Sequence, residues 1–164
     1  MIKSKGFIQV WLILLVLSTT VFSKDNSEKI EKLSKKADVI LTGKVTEKQS
    51  SWNASKTRIY TKTTVAVDEF LKGNHPGNSV EIITPGGEVG DVGELYTHMP
   101  TFKSDEEVVV FLKKDQQGQT YQVLNGDAGK ISVFEDSASG QKVTSSNLSV
   151  KQLKTQIKSS LDQQ

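Results

Sequence analysis

Three triplets stand in a row: Gly87-Glu-Val, Gly90-Asp-Val and Gly93-Glu-Leu. An acid recurs at every third position, so Glu88, Asp91 and Glu94 are candidate oxygen ligands for a hard cation such as Ca²⁺. The spacing differs from that of an EF-hand loop. No Gly-Lys-Ser/Thr follows, so the stretch is not a phosphate cradle either. The competing reading is a turn-rich crossing between strands, with glycine supplying positive φ. That reading is favoured, and no metal or other cofactor is expected.

His98 lies between Tyr96 and Met99-Pro100 and is the candidate general base of a hydrolase using nearby carboxylates. His75 sits in a Gly/Pro turn and is expected at the surface. Asp105, Glu106 and Glu107 with Glu94 could supply a carboxylate pair for glycoside cleavage. Acids at the start of a strand are normally solvated, so a plain acidic corner is expected there. Trp52, Arg58 and Tyr60 surround one hairpin and could stack against a sugar, a base or a peptide side chain. No catalytic set emerges, and the expected binding residues are Trp52, Arg58, Tyr60, Glu88, Asp91, Glu94 and His98.

The chain has 164 residues, 21 Lys+Arg, 19 Asp+Glu, 2 His and no Cys. That excludes disulfides, thiolate zinc sites and Cys nucleophiles. A formal charge of +2 is too small for a strongly cationic nucleic-acid binder. Lys3 and Lys5, the apolar run 7–17 and the segment up to Ser23 have the layout of a secretory signal peptide cleaved after Ser23. The run is too short to span a bilayer. Secretion or a periplasmic location without a stable membrane anchor is therefore expected. Loss of Lys3 and Lys5 would leave basic and acidic side chains equal in number.

The remainder reads as a short helix over 27–36, strands over 38–48, 58–71, 79–84, 106–113, 120–124 and 130–134, and a second helix over 149–161. Gly43 in mid-strand predicts a bulge or bend. Residues 106–113 are apolar on both faces, which predicts a central strand. Ser149 with Gln152 forms a capping box. The expected fold is mainly β: a small five- to six-stranded antiparallel OB-like barrel with a short N-terminal and a C-terminal helix. The expected division is a signal over 1–23, the barrel with its N-terminal helix over 24–136, and a polar linker with the C-terminal amphipathic helix over 137–164.

Ala37-Asp-Val-Ile-Leu-Thr-Gly-Lys-Val45, a strand ending Lys72-Gly73, then Gly86-Gly87 and Asp105-Glu-Glu-Val-Val-Val-Phe-Leu112 follow in order. This series, over about residues 37–134, resembles the netrin-like module, which includes the tissue inhibitors of metalloproteinases. The resemblance implies an OB-fold barrel that binds other proteins. Those inhibitors chelate zinc through an N-terminal Cys, for which Lys24 and a Cys-free chain offer no counterpart. The function expected is an exported, non-enzymatic binding protein with a protein or glycan partner in the cell envelope. The alternatives are a protease inhibitor acting through a surface loop and the His98 hydrolase.

Overall fold

A computed structural model describes residues 20–146 and 148–162. The expected signal run 7–17 lies outside the described residues. The chain forms α1 (Thr20–Lys36), β1 (Val39–Trp52), β2 (Ile59–Lys72), β3 (Ser79–Pro85), β4 (Gly87–Val89), β5 (Val92–Glu94), β6 (Glu107–Lys114), β7 (Tyr121–Val123), β8 (Lys130–Glu135), β9 (Lys142–Thr144) and α2 (Val150–Asp162).

Strands β1-β2-β3-β7-β6 run side by side, and β6 pairs back onto β1, which closes a five-stranded barrel. The expected mainly β, OB-like barrel with two helices is the observed fold. Among the described residues all strand pairings are antiparallel except one: β3 meets β7 in parallel, at Ile82 and Tyr121 alone. β8 and β9 extend the sheet beyond β6. β9 lies where the polar composition of 136–146 predicts a linker.

Alternation sorts the core into two layers. Val39, Leu41 and Val45 of β1, Val65 of β2, Val80 and Ile82 of β3, and Val108, Val110 and Leu112 of β6 fill the barrel with Phe102 and Tyr121. The opposite faces of the same strands, through Ile40, Val109 and Phe111, pack under α1 and α2. β6 is thus buried on both sides, as its composition predicts, and it pairs with β1, β7 and β8.

α1 contributes Ile30 and Leu33 to the outer layer, Ala37 follows directly after it, and α2 contributes Leu153 and Ile157. The capping box closes as expected, with Gln152 N donating to Ser149 Oγ at 3.2 Å and Ser149 N donating to Gln152 Oε1 at 3.0 Å. α1 begins at Thr20, so Ser27 lies inside it rather than capping it.

His75 is not a simple surface histidine. Its Nδ1 lies 2.9 Å from the hydroxyl of Tyr121, a fully buried side chain that burial pushes to a higher pKa. Its ring meets Tyr121 edge-on, with centroids 5.5 Å apart. The imidazole satisfies a hydroxyl that would otherwise be buried unpaired.

Candidate functional site

β1 carries a bulge at Thr46: Val45 pairs with Val65, but Glu47 pairs with Thr64. The extra residue reverses the alternation beyond it. Lys48, Ser50 and Trp52, rather than Glu47 and Gln49, therefore continue the inner face that Val45 begins. They stand opposite Thr63, Thr61 and Ile59 of β2. Strict alternation and a strand end at Lys48 hide this face in the sequence. β1 in fact runs on to Trp52, and the connecting loop shrinks to 53–58. Asn53 Oδ1 ties that loop by accepting the Thr57 N–H at 2.8 Å and the Arg58 N–H at 3.2 Å.

Here the inside of the barrel turns from aliphatic to hydroxylic. Thr61, Thr63 and Thr84 are buried. Thr61 Oγ1 donates to Gly86 O at 2.7 Å. Its one proton is thereby committed, so the 2.9 Å contact with Ser50 Oγ is a bond that Ser50 donates. Ser50 is left with acceptor lone pairs. Thr63 Oγ1 has no hydrogen-bond partner among the described residues, and the side chain is 0% exposed. Thr63→Val, which keeps the shape and removes the unpaired hydroxyl, is expected to stabilise the fold by about 1 kcal/mol in urea unfolding.

Within the expected turn-rich crossing, residues 87–94 form a hairpin. Gly87 pairs with Glu94, Glu88 with Gly93 and Val89 with Val92 around the Gly90-Asp91 turn, with Gly90 at φ 61°. A period of three set on strands of period two scatters the acids. Glu94 and Glu88 lie on opposite faces, and Asp91 sits in the exposed tip. Among the described residues no group of three His, Asp or Glu side chains could hold a metal ion. The less favoured reading of Glu88, Asp91 and Glu94 as Ca²⁺ ligands therefore has no geometry beneath it.

The hairpin crosses the mouth of the barrel. Gly86 N donates to Ile59 O at 2.8 Å, and the Ile59 N–H donates to Glu94 Oε2 at 3.2 Å. Tyr96 donates its hydroxyl hydrogen to the same Glu94 oxygen at 3.0 Å, and Arg58 Nη1 donates to the Tyr96 oxygen at 3.0 Å. The Arg58 guanidinium also lies 6.0 Å from the centre of the Tyr96 ring. Arg58 and Glu94, far apart in sequence, thus meet through Tyr96, which sequence reasoning passed over.

Between hairpin and barrel lies a groove of about 780 Å³. Lys48, Ser50 and the three threonines line one side, Glu88, Glu94 and Tyr96 the hairpin side, and Met99, Pro100 and Phe102 the far wall. The wall is pinned twice: Asp127 N donates to His98 O at 3.0 Å, and Lys130 Nζ donates to Thr101 O at 2.7 Å while lying 5.3 Å from the Phe102 ring centre. Lys48 and Glu88 carry no ion pair among the described residues. Leu95, at 88% exposure, and Met99 present apolar surface at the rim.

The remaining expected residues lie elsewhere. Tyr60 is on the outer face of β2, and Trp52 shares the inner face without lining the groove. His98 is exposed at φ 62°, with no partner for its ring among the described residues. The carboxylates that would form a pair each have their own cation: Asp105 with Lys44 at 2.8 Å, Glu106 with Lys130 at 2.6 Å and Glu107 with Lys142 at 2.6 Å. Glu106 is half-buried in its pair, not solvated as a corner residue would be. Among the described residues no helix is long and apolar enough to cross a membrane. A scan against protein-family models finds no match to this chain, and a search of curated proteins finds none either.

Proposed function

We propose that the protein is an exported, non-enzymatic binding protein that holds an extended segment of a partner protein in the groove under the β4–β5 hairpin. One observation carries this reading: a pinned groove of about 780 Å³ whose open charges, Lys48 and Glu88, are opposite in sign. The floor supplies hydroxyls, Ser50 accepts a backbone N–H, and flexible Met99 with Leu95 accommodates varied apolar side chains. A glycan fits less well. Sugars stack on free aromatic faces, and the Tyr96 ring is already engaged by Arg58 while its hydroxyl is bonded on both sides. The motif order that resembles the netrin-like module supports the same reading, binding without bond-breaking.

Selection of peptides from a displayed random library against the whole protein tests it. The recovered peptides are expected to pair an acid with a base a few residues away. Lys48→Glu and Glu88→Lys are each expected to weaken the selected peptide about tenfold, the effect of losing one partly desolvated charge pair. Charge exchange on the peptide should restore binding to each variant. Failure to recover any peptide, or recovery of peptides indifferent to both variants, overturns the reading.

A further inference from the structure

The opposite end of the barrel holds a second groove, of about 690 Å³, between the last turn of α1 and the ends of β2 and β6. Among the described residues five lysines line it, Lys35, Lys36, Lys72, Lys113 and Lys114, against a single acid, Asp38. They come from three elements that are distant in sequence, so only the fold brings them together.

Their partners divide them by role. Lys72 Nζ donates to Ser34 O at 2.8 Å and to Lys35 O at 3.1 Å. It thereby closes the carbonyl end of α1 and neutralises the negative pole that would repel an anion. Lys113 Nζ sits 2.9 Å from Asp38 Oδ1, and the Lys114 backbone N–H takes the other oxygen at 3.0 Å. The acid of the groove is therefore consumed. Lys35 pairs with Glu31, one turn back on the helix, at 2.6 Å. Lys36 and Lys114 are exposed and carry neither an ion pair nor a side-chain hydrogen bond among the described residues. The groove keeps a surplus of positive charge in a molecule whose overall charge is close to balance.

We propose that this groove binds a linear phosphate-bearing anion of the inorganic polyphosphate type. The cations are lysines, compact point charges suited to tetrahedral oxyanions; no arginine fork is present to select planar carboxylates. They are spread over a groove wider than one phosphate, so a chain engages more of them than a single ion does. Among the described residues no aromatic ring lines the groove, so bases have nothing to stack on. Among the described residues the exposed large apolar side chains, Tyr60, Val92, Leu95, Met99 and Phe134, all lie elsewhere, so the groove itself offers none to insert into a bilayer.

Titration of the whole protein with medium-chain sodium polyphosphate over a series of salt concentrations tests the proposal. Binding is expected at low salt and should weaken steeply as salt rises. Lys36→Glu with Lys114→Glu is expected to weaken it at least ~10-fold and to reduce the slope of log K against log salt by about 2, close to one unit per lysine. Lys48→Glu, at the other end of β1, should leave it unchanged and separates this groove from the peptide groove. If the double variant melts early, Lys36→Gln with Lys114→Gln carries the comparison. Absence of polyphosphate binding, or binding untouched by these variants, overturns the proposal. Equal or tighter binding to phosphatidylglycerol vesicles or to single-stranded DNA, lost in the same variants, overturns the assigned ligand in favour of a membrane or a nucleic acid.

Discussion

Glu106→Ala is expected to remove roughly 2 kcal/mol of stability, the cost of breaking one partner out of a partly buried ion pair, read as a lowered urea midpoint. Glu106 and Lys130 are 9% and 11% exposed at their side chains. One carboxylate oxygen takes Lys130 Nζ and Ser132 Oγ, each at 2.6 Å, and the other takes the Lys103 N–H at 2.9 Å. The alanine variant leaves the Lys130 ammonium nearly buried and without its counter-charge. Lys130 also grips Thr101 O and overlies Phe102, so the far wall of the groove under the β4–β5 hairpin should loosen in the same variant. The pH dependence follows from the same contacts. Burial by itself would raise the pKa of Glu106, but Lys130, Ser132 and the Lys103 N–H together hold it below the ordinary 4.5. The unfolded chain therefore takes up this proton before the folded protein does. Stability from this group is complete above about pH 4.5 and is lost as the pH falls through the lower, folded value. Glu106→Gln should flatten that acid limb, and an unchanged limb would assign the acid sensitivity to other carboxylates.

Much of this molecule follows from local rules that a sequence displays. Val108 to Leu112 is apolar at every position, and only a strand covered on both faces uses such a run. Ser149 and Gln152 state where α2 starts, because their side chains satisfy backbone groups within one turn. Gly43 marks the bend where β1 crowds β2: a Cβ there would lie 2.8 Å from Val65 Cγ1 and closer still to Ala66 O. What stayed hidden depends on events that alternation cannot encode. A single extra residue at Thr46 exchanges the two faces of β1, moving Lys48 and Ser50 inward and Glu47 and Gln49 outward. The barrel closes through one parallel contact, Ile82 to Tyr121, that no turn between neighbouring strands announces. The triplet of glycine, acid and apolar residue looked like a ligand set because its period is regular, yet regularity at three conflicts with strand geometry and separates the acids. The partial burial of Glu106 depends on Lys130, 24 residues away, and local polarity gives the opposite expectation.

Gly87→Val is expected to weaken the selected peptide by about a hundredfold or more while the barrel remains folded. Gly87 sits at φ 132°, a region that side-chain-bearing residues rarely adopt. A Cβ built on it would lie 3.0 Å from Ser50 Cβ and would run into both hydroxyl oxygens of the Ser50–Thr61 pair. Those residues cannot retreat, because β2 is held between β1 and β3 by continuous pairing. The hairpin is the weaker partner. It forms a two-stranded sheet of its own and is tied to the barrel through Gly86 N to Ile59 O, Thr61 Oγ1 to Gly86 O, and Ile59 N to Glu94. These three hydrogen bonds and the Arg58–Tyr96–Glu94 link, at a net ~1 kcal/mol for each bond, put the stability lost when it lifts at roughly 3–5 kcal/mol. No β4 or β5 side chain belongs to either buried core cluster, so the barrel interior is untouched. The groove, by contrast, exists only as the space between the hairpin and the strands. Gly90→Asn supplies the control: Gly90 shares a positive φ of 61°, asparagine tolerates that conformation, and a Cβ there meets nothing within 4 Å. Paired melts and peptide titrations of the two variants separate collision from backbone strain. Retention of full peptide affinity by Gly87→Val would place the ligand somewhere other than beneath the hairpin.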